Sequence, residues 1–489
     1  MTQTHQAAGS GRRTRAGRTP GRGTLIGIGS LLVVLTNAVI FILPPLLPVI
    51  QEQYGLATVA QTTWLFTLLT LAGGAGFILL PRLADLYGDR NANVAAAAFL
   101  TAGAVVPAVG DSYAALLIGC ALLGFGGSAQ VLPLGFLRRG LGEGSVTAAV
   151  AVLVIGTGVG VVVGMIGGGL IVQTLSLRSF FVVLAVVGAV TTLASYLLIP
   201  HAPPAVRTGR IGVVGTIWMI AWVAAILLTL TQGLVWGTAA LIPLALGVVG
   251  GIAWFRVERR SSTAVFDVAL MKAPLVSAAC ICIALFAAVN SAFLLLVSTY
   301  AQIVPEALRP ADAYGLGLSA LETGWLMLPF ALTFVVGGVI VDGPVNTGRV
   351  VPVLVSGALI NVTGLTWLAL AHDRPWHYLV GAALIGLGCS IGYAAGFAVV
   401  QLAVSEEKAG MATGVAGVFL AVGFAFGTAL VSADLSVSLV PVPGTTLEVA
   451  AESLYGAGYW LAGGLTLSVL LTLGVSAHRS RRRDASLAA

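Results

Sequence analysis

Fourteen apolar stretches, most near the roughly 20 residues that a helix needs to cross a hydrocarbon core, follow one another along this chain. They fall at about 24–49, 60–81, 92–110, 113–136, 146–174, 179–199, 212–232, 236–255, 274–304, 319–341, 350–371, 377–403, 408–433 and 456–477. A water-soluble surface cannot be built around so many. With 58% hydrophobic and 9% charged residues and a mean hydropathy of +1.01, the 489 residues hold too few polar groups to face water. The 63 Gly and 20 Pro lie within the apolar runs, where a bilayer tolerates them, and so do not signal low complexity. The first run follows Arg12, Arg13, Arg15, Arg18 and Arg22 and resembles a secretory leader. Its length and the thirteen spans behind it predict a retained anchor.

The charges then set the orientation. With the N-terminus inside, only Arg178, Arg309 and Arg374 of the 24 Lys and Arg fall outside, whereas the 18 Asp and Glu divide evenly. That asymmetry is the positive-inside pattern, with both termini cytoplasmic, and it accounts for the pI near 9.3 without nucleic acid. The four cysteines, Cys120, Cys280, Cys282 and Cys389, all fall inside spans and suit packing better than a disulfide or zinc. The near absence of lysine, with excess Ala and Gly, points to a GC-rich bacterial source.

The two ends of the chain repeat one another. After the second span the sequence runs from Pro81 through Asp85, Gly88 and Arg90; after the tenth it runs from Gly338 through Asp342, Gly348 and Arg349. Each places an Asp at a helix end, then a turn glycine, then an Arg. Asn37 and Asn290 sit near the middle of spans one and nine. Spans five and thirteen are both rich in glycine, with Gly160, Gly164 and Gly168 in one and Gly423 and Gly427 in the other. Internal repeats of this kind flank the substrate sites of transporters.

The loop 81–90 resembles the signature between helices 2 and 3 of the major facilitator superfamily, matching at Leu83, Ala84, Asp85, Gly88 and Arg90. The run Gly164 to Gly169 is similar to the antiporter signature of helix 5. Tyr300, Gln302, Leu318 to Gly324, Pro329 and the segments 410–414 and 423–427 resemble the second half of fourteen-helix drug:proton antiporters. The resemblance implies an all-α membrane protein of major facilitator fold, with fourteen transmembrane helices arranged six, two, six. The expected units are a basic tail (1–23), a six-helix bundle (24–200), a linker carrying two extra helices (201–273), a second six-helix bundle (274–477) and a basic tail (478–489). The usual coupling residues are replaced: family members carry Arg where Cys120 stands, Pro where Met165 stands, often Asp near Asn37, and Arg-Gln where Leu420 and Ala421 stand.

No ionisable side chain falls clearly at mid-depth, where it would be a functional candidate by default. Candidate cavity residues are therefore the uncharged Asn37, Trp64, Thr67, Gln130, Asn290, Tyr300, Gln302 and Asn361, each of which could equally hold helices together. Glu322 and Asp434, at span ends, are candidate proton carriers; the alternative is a helix cap at Ser319–Glu322 and a solvated helix end at Asp434. By resemblance, Asp85, Gly88 and Arg90, with Asp342 and Arg349, latch one conformation. Pro44, Pro45 and Pro48 are expected to end the first helix and bend it at the outer gate.

Other motifs fail on context. The elbow-like Gly388 to Gly392 lies in an apolar helix without a strand before it, His372 and His377 lack a third metal ligand, and Asn361-Val-Thr363 lies in the membrane. No cofactor and no enzyme activity are expected. The reading is an exporter of a lipophilic or amphipathic small molecule across the bacterial inner membrane by alternating access. It is expected to work as a monomer among membrane lipids, proton-linked in spite of the missing residues. The alternatives are a lipid translocase or uncoupled facilitator of the same fold, and a membrane receptor without flux.

Overall fold

The computed structural model describes residues 21–56, 59–133, 136–137, 155–174, 176–200, 213–259, 273–403, 409–445 and 447–488. The helices are α1 (Arg22–Gln53), α2 (Val59–Tyr87), α3 (Asp89–Val109), α4 (Tyr113–Gly127), α5 (155–174), α6 (Leu177–Leu198), α7 (Val213–Trp236) and α8 (Leu241–Glu258). They continue as α9 (Pro274–Ala301), α10 (Ala320–Val345, broken at Met327 and Val341), α11 (Val350–Leu370), α12 (Pro375–Leu402), α13 (Ala409–Leu435) and α14 (Glu452–Ala488). Between α13 and α14, β1 (Leu439–Pro441) pairs antiparallel with β2 (Glu448–Ala450).

Among the described residues twelve helices are long and apolar enough to cross a membrane. Two shorter apolar stretches, Ile155–Ile171 in α5 and Ile217–Ile226 in α7, lie between them. Twelve of the fourteen expected spans are therefore present at full length among the described residues, and 146–154 of the expected fifth span lie outside them. Two boundaries also differ. α1 continues through Pro44, Pro45 and Pro48 to Gln53 rather than ending there, and α14 runs past residue 477 to Ala488. Pro removes one backbone donor, but adjacent prolines in an otherwise apolar helix leave the remaining ladder to carry it.

Helix packing follows the repeat. α1 packs on α5 and α6, α2 on α4, and α3 on α4 and α6; likewise α9 packs on α13 and α14, α10 on α12, and α11 on α12 and α14. Glycine permits the closest of these approaches. A Cβ on Gly160 or Gly164 would meet the Val34 or Ala38 carbonyl of α1 at 2.7 and 2.6 Å, and one on Gly423 or Gly427 would collide with the Ala284 or Ala288 carbonyl of α9. With lipid outside, helices gain little by burying apolar surface, so this backbone proximity supplies the dispersion contacts that hold them.

The halves meet where α2 lies on α13, α5 on α10, and α1 on α9 and α10. α7 lies against α2 and α13 together, and α8 packs on α7. The other face of α8 is open, with Leu241, Ile242, Leu246 and Val249 all exposed, as a helix in lipid requires.

Candidate functional site

Asn37 and Asn290 come from the central parts of α1 and α9, the two helices that face one another across the halves. Both side chains are buried. Asn37 turns part of its amide inward: Nδ2 donates to the Val33 carbonyl at 2.9 Å and contacts the Thr157 hydroxyl of α5 at 3.5 Å. Asn290 Nδ2 donates to the Tyr393 hydroxyl of α12 at 3.3 Å, and its Oδ1 has no partner.

Beside Asn290 and Tyr393 runs a line of aromatic rings that crosses from one half to the other. Tyr393 lies 5.9 Å from Phe334, Phe334 lies 5.8 Å from Phe330, and Phe330 stacks on Phe293 at 5.6 Å and 21°. Phe330 also sits 6.4 Å from Phe41 of α1. Among the described residues no Asp, Glu, Lys, Arg or His lies at the middle of a span. The centre of the molecule is thus an aromatic, uncharged contact with amide and hydroxyl groups at its side. Phe41, Phe293, Phe330, Phe334 and Tyr393 went unnoticed in the sequence, because an aromatic residue in an apolar helix carries no mark of whether it faces lipid or the partner half.

The other uncharged candidates are scattered. Thr67 is buried and Trp64 half-buried on α2, and Gln130 is half-buried in the 3-10 turn Ser128–Val131 that ends α4. Asn361 is fully buried between α11 and α12, donating to Cys389 Sγ at 3.4 Å. Tyr300 belongs to a buried group within the second half, its ring 5.0 Å from Tyr455, 5.8 Å from Tyr378 and 5.2 Å from His372. Gln302, at the C-terminus of α9, reaches the first half: its Nε2 donates to the Pro45 carbonyl of α1 at 3.0 Å.

In the repeated loops Gly88 and Gly348 have φ of 87° and 78°, a region that suits glycine, so the turn glycine of both copies has a backbone reason. The side chains of Asp85 and Asp342 lie outside the described residues. Arg90 stacks its guanidinium over the Tyr196 ring of α6 at 4.3 Å, and Arg349 is exposed at the N-cap of α11. The neighbouring Asp89, not singled out from the sequence, is buried in the first turn of α3, where the helix dipole favours its charge.

The two edge carboxylates differ. Glu322 is exposed and closes a capping box, its carboxylate accepting from the Ser319 amide and hydroxyl at 2.8 Å each. Asp434 is half-buried near the end of α13, with Oδ2 enclosed and without a partner beside Gly458 of α14.

Comparison with known proteins gives this arrangement a family. The chain is 25% identical over 401 residues to a probable actinorhodin transporter of Streptomyces coelicolor, covering 78% of this chain and 67% of that one. It is 26% identical over 468 residues to the multidrug efflux pump LfrA of Mycolicibacterium smegmatis, covering 90% and 88%. The fold is similar to that of the human organic anion transporter MFSD10, with a TM-score of 0.60 at 16% identity over 93% of this chain and 100% of the other. It is also similar to that of the nucleoside transporter NupG, with a TM-score of 0.62 at 13% identity over 93% and 99%. The family model of the Major Facilitator Superfamily matches residues 29–295 and 191–428. With most of its length matched and its two halves joined across α1, α9 and α10, this multi-pass membrane chain belongs to the Major Facilitator Superfamily.

Proposed function

We propose that the chain exports an uncharged lipophilic or amphipathic small molecule from a bacterial cytoplasm by alternating access of its two halves. One observation carries this reading: the meeting point of α1, α9, α10 and α12 is lined with aromatic rings, amides and a hydroxyl, with no Asp, Glu, Lys, Arg or His of the described residues at that depth. An ion brought there would forfeit roughly 2.5–3.5 kcal/mol or more of hydration with no counter-charge in place. The relatives' names, a probable actinorhodin transporter and a multidrug efflux pump, support export.

In this reading the spans number fourteen, six, two and six, with α5 and α7 completing the count and α7 and α8 the added pair. The repeated pairing of α1–α6 and α9–α14 supports two pseudo-symmetric bundles. Both termini are cytoplasmic, as the distribution of Arg requires. Asp85 with Gly88 and Arg90, and Asp342 with Gly348 and Arg349, hold the cytoplasmic ends of the halves in one state.

Proton linkage falls to Asp434 rather than Glu322. A carboxylate oxygen enclosed without a partner gains by protonation, whereas the Glu322 oxygens are engaged as a helix cap. The test is substrate flux in proteoliposomes with and without an imposed pH gradient. Asp434→Asn is expected to abolish the response to the gradient and Glu322→Gln to leave it intact. Flux indifferent to the gradient in the wild type would reject proton coupling and leave an uncoupled facilitator; copurified lipid moved between leaflets would instead identify a lipid translocase.

A further inference from the structure

We infer that the groove between α2, α7 and α13 is a binding site for the hydrocarbon chain of a membrane lipid, with the α7–α8 pair as its outer wall. The inference holds whatever the protein transports. The lining comes from 70–75 of α2, 219–223 of α7 and 418–422 of α13, the middle of each helix, which sets the groove at the hydrocarbon depth of a bilayer. Thr70 is the one lining residue with a polar side chain, and its hydroxyl is turned onto its own helix, donating to the Phe66 and Thr67 carbonyls at 2.7 and 3.2 Å. Water finds no partner in such a place, since an ordered water needs two to four polar groups. The gap measures about 280 Å³ with its open side included, below the roughly 300–1,000 Å³ of pockets that enclose a drug-sized molecule. A lipid chain is thin, apolar and abundant at this depth, and so meets both limits.

The floor of the groove is made of small residues, Gly74 and Ala75 of α2 and Ala421 of α13, and a Cβ on Gly74 would stand 3.4 Å from that of Ala421. The two halves touch there, so the floor is closed. The wall is held from its far side. Trp222 of α7 rests on Gly250 and Gly251 of α8, where an added Cβ would come within 3.2 and 3.1 Å of it, and Gly247 makes room for Ile226 in the same way. Trp254 Nε1 of α8 donates to the Gly215 carbonyl of α7 at 2.7 Å. With α8 fixing its position, α7 does not close onto the seam beneath it. Along the groove Leu71, Ile220, Val223, Val418 and Val422 are all half-buried, so its edges are reached from the bilayer. A gap between helices forfeits dispersion contacts with its lining. A lipid chain restores them, and because it is as apolar as the helices nothing drives it out. Seated there, it touches both halves across the α2–α13 seam.

The experiment places the purified full chain in nanodiscs with a phosphatidylcholine that carries a diazirine at the end of one acyl chain, and maps the adducts by mass spectrometry after irradiation. If lipid merely coats the protein, labelling follows exposure, and Leu246 and Val249 of α8, 65% and 64% exposed, carry more adduct than the half-buried Val223, Val418 and Val422. A chain held in the groove reverses that order, and the groove residues are expected to carry at least about twice the adduct of the two on α8. Ala421→Leu raises the floor and should lower the groove adduct about fivefold while leaving labelling of α8 unchanged. The wild-type order decides the matter by itself if that variant does not fold. Hexadecane in excess should compete for the groove, whereas anthracene, flat and without a chain, should not. Labelling in order of exposure would overturn the inference, as would displacement of the adduct by anthracene but not by hexadecane.

Discussion

At the scale of single residues, the positions that the sequence marks best are those whose role is steric. Gly160, Gly164, Gly423 and Gly427 stand out in an alignment of the chain with itself, and each proves to touch the backbone of the helix in the equivalent place, α1 or α9. The contrast with Gly463 and Gly464 on α14, which face open space, gives a direct test. Gly427→Ala must push α13 away from the Ala288 carbonyl, an overpacking that costs about 1–3 kcal/mol, so the detergent-purified protein should melt several degrees lower. Gly463→Ala meets nothing within 4 Å and gains helix propensity of up to about 1 kcal/mol, so its melting temperature should be unchanged or slightly higher. Equal melting of the two variants would mean that the α9–α13 approach does not hold the second half together. Polar residues were harder to place: Asn290 and Asn361 look alike in sequence, yet one has a buried amide oxygen without a partner and the other is engaged with Cys389. Which neighbouring helix supplies the partner is a tertiary fact that spacing within one helix cannot carry.

At the scale of elements, hydropathy alone located the helices, because a bilayer imposes one length and one composition on each, although α2 and α14 run on to Tyr87 and Ala488, past the expected ends at 81 and 477. It failed where neither rule applies. β1 and β2 have three residues each, too few for a period, and they are held by the turn at Gly444 and by the Tyr314 hydroxyl, which donates to the Ala450 carbonyl. Burial among Tyr300 and Tyr455 pushes that hydroxyl far above the ordinary tyrosine range, so it stays a donor at every physiological pH. The prolines of α1 misled for a related reason: they mark a place where the helix lacks donors, but not whether it stops. α1 goes on to Gln53, and the Pro45 carbonyl receives Gln302 Nε2 from α9. That bond ties the C-terminal ends of the first helix of each half. Gln302→Leu removes it, at a net cost of about 1 kcal/mol to the arrangement in which these ends are joined, enough to change the ratio of joined to parted states by roughly fivefold. A cysteine placed at Val49 should then react faster with a membrane-impermeant maleimide. An unchanged labelling rate would show that this bond does not bias the equilibrium.

At the scale of the whole molecule, the repeat in the sequence foreshadowed the pairing of helices in both halves, but not how the halves touch. The seam between α2 and α13 is built from residues that are unremarkable singly, Phe77 against Gly417 and Gly74 against Ala421, and α7 lies over it with Met219, Ile220 and Val223 beside Thr70 and Val418. Nothing in one helix's composition reveals that its small residues match those of a helix some 340 positions later. If transport depends on the halves moving, this seam must change in every cycle. A Cβ on Gly74 would lie 3.4 Å from the Ala421 Cβ, close to the separation of bridged cysteines. The double variant Gly74→Cys, Ala421→Cys should therefore form a disulfide on mild oxidation, while the native Cys120, Cys280, Cys282 and Cys389 stay buried and reduced. Flux in proteoliposomes is expected to fall to the level of empty vesicles when the bridge forms and to return on reduction, with each single cysteine variant active throughout. Full bridging with undiminished flux would require that α2 and α13 stay together during transport, and movement would then have to be sought at the α5–α10 seam, where Gly158 meets Val335 and Gly324 meets Met165.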